Sequence, residues 1–110
     1  MSNQQLMIVI SVPPNHADKV LDAIASAGGG ILGNYTHCAF TSTGSGRFKP
    51  NAAASPHIGA KLEINAIEEI RIETFCRRDQ AKAIVQAIRH AHPYEEPVIY
   101  LIPLLSEDDL

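Results

Sequence analysis

Four apolar, strand-like runs and two helical stripes follow one another in the order β-α-β-β-α-β. This order predicts an α+β domain, a ferredoxin-like βαββαβ sandwich with a four-stranded antiparallel sheet and two helices on one face. Two further observations support it. The strand candidates are short and bounded by turn residues, and each helix candidate carries one apolar stripe, as an element that buries a single side does. With 110 residues, 45% of them hydrophobic, the chain suffices for one domain and not for two. At this length folding removes roughly 65% of the unfolded surface from water, enough for a core without disulfides or a structural metal.

The first strand is expected at Gln5 to Val12, stopped by Pro13-Pro14. Asn15 then suits a helix N-cap, with Asp18 near the positive helix end. Ala17, Val20, Leu21 and Ile24 keep helical spacing, and Gly28-Gly29-Gly30 ends the helix. A second strand is expected at Tyr35 to Thr43, followed by a long loop from Gly44 to Gly59 and a weak extended piece at Lys61 to Ile64. The third main strand is Glu69 to Cys76, with clear alternation. Asp79 suits the cap of a second helix whose stripe is Ala81, Ile84, Val85 and Ile88. Pro93 closes that helix, because the residue before a proline is driven out of helical angles. Val98 to Leu104 is the last strand, and Pro103 inside it marks a sheet edge or a bulge. The domain spans 1–105, and 106–110 form an acidic tail expected to be disordered.

Two helices cover only one sheet face, yet the first and last strands are apolar on both parities. Leu6, Ile8 and Ile10 alternate with Met7 and Val9; Val98, Tyr100, Ile102 and Leu104 alternate with Ile99 and Leu101. A strand wet on one face alternates more cleanly. An open apolar face of this size exceeds what monomers tolerate, so it is expected to be buried against further copies of the chain.

The net charge is −3, without a basic block, which gives nucleic-acid binding no electrostatic footing. No apolar run reaches the length of a membrane span, and the N-terminus lacks the pattern of a secretory signal. A cytoplasmic protein is expected, with Cys38 and Cys76 as reduced thiols inside apolar runs.

Gly28 to Gly33 matches G-x-G-x-x-G but follows a helix, whereas a dinucleotide fingerprint follows a strand and opens a helix. It reads as a cap and turn, and no cofactor is expected. Gly44-Ser45-Gly46-Arg47-Phe48-Lys49 places two cations around one aromatic in a glycine-rich segment. Backbone amides with Arg47 and Lys49 could hold an anion there. The plainer alternative is a surface loop pinned by Phe48. His92-Pro93-Tyr94-Glu95-Glu96-Pro97 is the densest polar cluster, either a ligand site or a rigid connector between helix and strand. The candidate ligand-binding residues are therefore Gly44, Gly46, Arg47, Phe48, Lys49, His92, Tyr94 and Glu95. His37, Cys38, His57 and His92 are weak metal candidates: His37 and Cys38, adjacent on the expected strand, would point to opposite faces, and no paired C-x-x-C or H-x-x-x-H is present. His90 and His92 would favour the negative end of the second helix. Glu68, Glu69, Arg71 and Glu73 read as cross-strand charge pairs. No nucleophile–base pair is evident, so no catalytic residue is assigned and an enzyme is not expected.

Taken in order, Gly30 to Phe40, Gly44 to Pro50, Pro56 to Gly59, Glu68 to Glu73 and His92 to Pro97 resemble the YqfO-type insert domain of the dinuclear-metal-centre proteins related to the NGG-interacting factor family. The resemblance runs from about Met7 to Leu104, here as a stand-alone chain. The His92 to Pro97 segment is also similar to CutA proteins, which, like the PII signalling proteins, are trimeric ferredoxin-like domains. The resemblance implies a CutA/PII-like fold and a homotrimer. It implies a regulatory or ligand-sensing role, with a small anionic molecule or a partner protein held in clefts between subunits. It also leaves room for a CutA-like divalent metal-binding protein, or a structural partner of a separate dinuclear-metal-centre protein. The family's two-metal site lies in flanking domains absent from this sequence, so its hydrolytic chemistry is not expected here.

Overall fold

The computed structural model describes residues 4–110. The first three residues of the expected 1–105 domain lie outside them. The elements are β1 (Gln5–Val12), α1 (Ala17–Ser26), β2 (Phe40–Phe48), β3 (Asn65–Arg77), α2 (Ala81–Ala91) and β4 (Ile99–Leu104). They form one four-stranded sheet in the order β2-β3-β1-β4, every neighbouring pair antiparallel. This is the α+β, ferredoxin-like arrangement the sequence predicts.

The core lies between the helices and one sheet face. Leu6, Ile8, Ile10 and Val12 of β1 alternate inward beside Ile72 and Cys76 of β3. Val20 and Ile24 of α1, with Ala81, Ile84, Ile88 and Ala91 of α2, close over them. Ile8, Ile84 and Ile88 are wholly inaccessible, and burial of each contributes about 1.5–3 kcal/mol. The α2 stripe repeats at positions 81, 84, 88 and 91, the spacing that aligns one helix face.

The expected helix caps are corrected. Pro14–His16 forms a 3-10 turn, and His16, not Asn15, precedes α1 without a side-chain cap bond. Asn15 instead places Oδ1 3.1 Å from His16 Nδ1. Asp79 likewise lies in a 3-10 turn before α2. Its carboxylate accepts from the Arg77 guanidinium at 3.0 and 2.8 Å, and that bond holds its pKa below the ordinary range. In both places proline or ion-pair geometry competes with the cap.

The second strand begins later and runs further than expected. Leu32 and Tyr35 close a tight turn through mutual backbone bonds of 2.9 Å. His37 then takes a left-handed φ of 60°, which breaks extension before Phe40. Thr74 Oγ1 donates to the Cys38 carbonyl at 2.6 Å and pins this loop to β3. Gly44 to Phe48, read as loop, is strand paired with Asn65 to Glu69. Lys61 to Ile64 is not extended; Leu62 has φ 67°.

β1 pairs only with Ile70 to Arg77 of β3, so the ends of β2 and β3 project past it as a two-stranded arm. The overall extents are 48 × 23 × 22 Å. Asn65 secures the arm's loop, bonding the backbone of Ala60 at 3.0 and 2.9 Å and of Glu63 at 3.0 Å. Gly59, at φ 99°, packs where a side chain would meet Asn65 and Phe48. At the sheet's other margin, β4 is an edge strand, consistent with Pro103 inside it, and the register places Gln5 beside Leu104.

The face away from the helices carries Met7 beside Phe75 and Ile102, and Val9 beside Tyr100. Phe40 is 68% exposed, Tyr100 58% and Ile102 45%. This face is not uniformly apolar: Glu73 lies within it, paired at 2.9 Å with Arg71 two residues away on β3. That pair runs along one strand, not across two as expected. Glu107–Asp109 forms a 3-10 turn capped by Ser106. Among the described residues, no helix is long and apolar enough to cross a membrane.

Candidate functional site

A pocket of about 290 Å³ opens where the arm meets the connector between α2 and β4. The arm and its loop supply Gly46, Arg47, Phe48, Lys49, Pro50, Ala54, Pro56, His57 and Ile58; Glu69 lies at its base. Tyr94, Glu95, Glu96 and Val98 form the opposite wall. The two segments singled out in the sequence therefore meet. They meet within a single chain, whereas the expectation placed them at a cleft between subunits, because β2 continues to Phe48 and carries its loop back over the connector.

Six of the eight candidate residues line this pocket: Gly46, Arg47, Phe48, Lys49, Tyr94 and Glu95. Gly44 does not; it sits within β2 opposite Glu69. His92 lies beneath, buried at 6% exposure. Arg47 and Phe48 alternate along β2, and both contribute to the pocket's lining. Gly46 has a structural cause: a side chain there would run into the Glu69 carboxylate.

The connector is built on His92. Pro93 forces His92 into extended angles, φ −78° and ψ 135°, and so ends α2. Its Nε2 lies 2.8 Å from the Ser11 carbonyl, and the Tyr94 backbone N–H donates to its Nδ1 at 3.1 Å. The Tyr94 hydroxyl donates to Glu69 at 2.5 Å, and the Ser55 N–H donates to Glu95 at 3.0 Å. Burial, then the Glu69 bond, pushes the Tyr94 phenol well above its ordinary range. Burial also holds His92 below the ordinary histidine value. Of the two helix-end roles expected of it, cation or donor, His92 takes that of a buried hydrogen-bonding group, and its partners are Ser11 of β1 and Tyr94 of the connector.

An aromatic row crosses the site. His16 meets His57 edge-on at 5.6 Å, His57 lies 6.4 Å from Tyr94, and Tyr94 lies 4.7 Å from His92. Sequence reasoning missed His16 and Glu69 as members, since each is far along the chain from the segments it joins and no local pattern marks it.

The metal candidates scatter. His37 pairs with Thr36 Oγ1 at 2.9 Å in the loop before β2. His37 and Cys38 do not sit on a strand with opposed faces; both line a small crevice beside α1. His57 and His92 belong to the pocket region instead. Among the described residues no three His, Cys, Asp or Glu side chains converge as a metal site. Both cysteines are free; burial raises the Cys76 thiol above its ordinary value.

No family model matches the chain. Individual relatives do. A Halalkalibacterium halodurans protein named GTP cyclohydrolase 1 type 2 homolog is 41% identical over 102 residues, 93% of this chain and 27% of that protein. A Bacillus subtilis protein of the same name is 38% identical over 97 residues, 88% of this chain and 26% of that protein. The chain thus spans about a quarter of the length of the curated relatives it matches. Among solved structures, a Bacillus cereus protein related to NIF3 superposes with a TM-score of 0.84 at 34% identity, over 96% of this chain and 27% of that one. CutA1 of Shewanella sp. SIB1 superposes with a TM-score of 0.69 at 18% identity, over 96% of this chain and 86% of its own, a likeness of fold alone. Over nearly its whole length this chain is a homologue of one domain-sized segment of the NIF3-related proteins named GTP cyclohydrolase 1 type 2 homolog, built on the CutA-like ferredoxin fold.

Proposed function

We propose that this chain is a homotrimeric regulatory or sensing module without catalysis of its own, and that its pocket takes a small molecule bearing an anionic group. One observation carries the ligand reading. Arg47 and Lys49 line the pocket, yet the ion pairs among the described residues are Arg71–Glu73 and Arg77–Asp79. Two of the pocket's carboxylates already hold donors, Glu69 from Tyr94 and Glu95 from Ser55. Neither pocket cation takes part in those ion pairs, so both can meet a ligand, while Phe48, Pro56 and Ile58 offer apolar walls for its body. Thermal shift and titration calorimetry with sulfate, inorganic phosphate and nucleoside monophosphates test it. Stabilisation by anions that is lost in Arg47→Ala is expected; indifference to every one of them refutes the pocket.

The assembly reading rests on the exposed Phe40, Tyr100, Ile102 and Leu104 beside Met7 and Phe75. A monomer seldom leaves so many large apolar side chains of one face in water, even with Glu73 among them. Light scattering at micromolar concentration is expected to give three chain masses, and a single chain mass overturns the assembly.

A further inference from the structure

We infer that His92 is the positioning residue of this pocket and that a proton added to its ring unlatches the wall formed by Tyr94 and Glu95. The inference rests on the pocket reading, but the latch itself is tested without ligand.

Each ring nitrogen of His92 is spoken for. The Ser11 carbonyl, 2.8 Å from Nε2, only accepts, so Nε2 carries the hydrogen. The Tyr94 backbone N–H, 3.1 Å from Nδ1, only donates, so Nδ1 is bare. A single tautomer, neutral, satisfies both. A proton on Nδ1 sets two donors against each other in a site with 6% exposure, where water replaces the lost bond poorly. The turn from His92 to Tyr94 then opens. Because the Tyr94 ring lies tilted against the imidazole at 4.7 Å and its hydroxyl holds Glu69, the movement carries into the pocket, and Glu95 follows in the chain.

The groups around His92 come from three other elements. Glu69 of β3 favours the proton, whereas charge on His16, before α1, and on His57, in the arm's loop, opposes it. Burial opposes it most and keeps the ring neutral near pH 7. The latch is closed there and opens on acidification.

The test is hydrogen exchange of the Tyr94 amide in the full chain, without ligand, from pH 7.5 downward. If opening takes up one proton, protection falls about tenfold per pH unit below about pH 6.5 and levels off once the closed ring is itself protonated. In His92→Gln, which cannot titrate, the slope is expected to vanish. Protection that ignores pH in the wild type, or an equal slope in the variant, overturns the latch. Should His92→Gln fail to fold, imidazole nitrogen shifts of the wild type decide. A neutral Nε2–H ring at pH 7 supports the latch, and an Nδ1–H or charged ring overturns it. Sulfate, whose charge is constant over this range, separates the two proposals. A pH-dependent Tyr94 amide without sulfate binding upholds the latch and sinks the anion pocket; sulfate binding beside a pH-independent amide does the reverse.

Discussion

Gly46→Ala is expected to change the sign of its effect according to what stands at position 69. Gly46 has no left-handed φ, so alanine fits its backbone, and replacing a strand glycine by alanine is by itself worth about 0.5–1 kcal/mol of stability. In the wild type, however, the new methyl group meets the Glu69 carboxylate. Glu69 is only half-buried and its end is flexible, so it swings aside, and in doing so it releases the Tyr94 hydroxyl. A hydrogen bond to a charged group is worth about 1.5–3 kcal/mol, and partial exposure favours the lower end. The balance is a loss of about 1 kcal/mol, or roughly 4–8 °C in melting temperature. With Glu69→Ala already present the carboxylate that meets the methyl is gone, and Gly46→Ala is expected to stabilise. Urea unfolding of the four proteins of this cycle, at one protein concentration, measures both signs. The same sign in both backgrounds would refute the packing of Glu69 over Gly46, and with it the base of the pocket.

Ile8→Asp is expected to abolish folding in circular dichroism, because an aspartate would replace a wholly buried isoleucine in a central strand. Ile84→Ala removes wholly buried volume where α2 meets the sheet and is expected to cost about 2–5 kcal/mol in denaturant midpoints. Arg47→Ala should leave the melting temperature almost unchanged, since Arg47 is exposed and takes no part in the ion pairs described; a large drop would make the arm's cation structural. His92 has a folded pKa below the ordinary 6.5, so the unfolded chain takes up its proton first. The stability it contributes is present above about pH 6.5 and is lost as pH falls from there through the folded value. Unfolding midpoints of wild type and His92→Gln between pH 7.5 and 5 measure it, and parallel pH curves would count against it.

The sheet and helices were legible because their signals are local. Apolar alternation in β1 and β3 and the stripes of α1 and α2 report directly on which side meets the core. The bounds of β2 were not, because its glycines and serines carry no strand signal. Gly44 and Gly46 are held extended by their partners across the ladder, Glu69 and Ile67. The opposite error arose at Tyr35 to Ala39, whose strand-like composition yields to the Leu32–Tyr35 turn and to the φ of His37. Within the site, Arg47, Phe48, Lys49, Tyr94 and Glu95 stood out as dense polar or aromatic clusters, and the fold unites them. Glu69 and His16 escaped notice because their roles come from contacts across 25 residues or more, such as Tyr94 with Glu69. The place of His92 beneath the pocket, bonded to Ser11, depends on where α2 docks, and no spacing encodes that.

Gln5 and Leu104 stand opposite one another at the shared end of β1 and β4. Neighbouring antiparallel strands set such Cα atoms about 5 Å apart, so the polypeptide enters and leaves the domain through one doorway. A unit of this kind can be spliced into a surface turn of a host while opening it by little more than one strand spacing. That geometry suits a segment of about a hundred residues whose relatives are some four times as long, since a longer chain could carry it without either part refolding to make room.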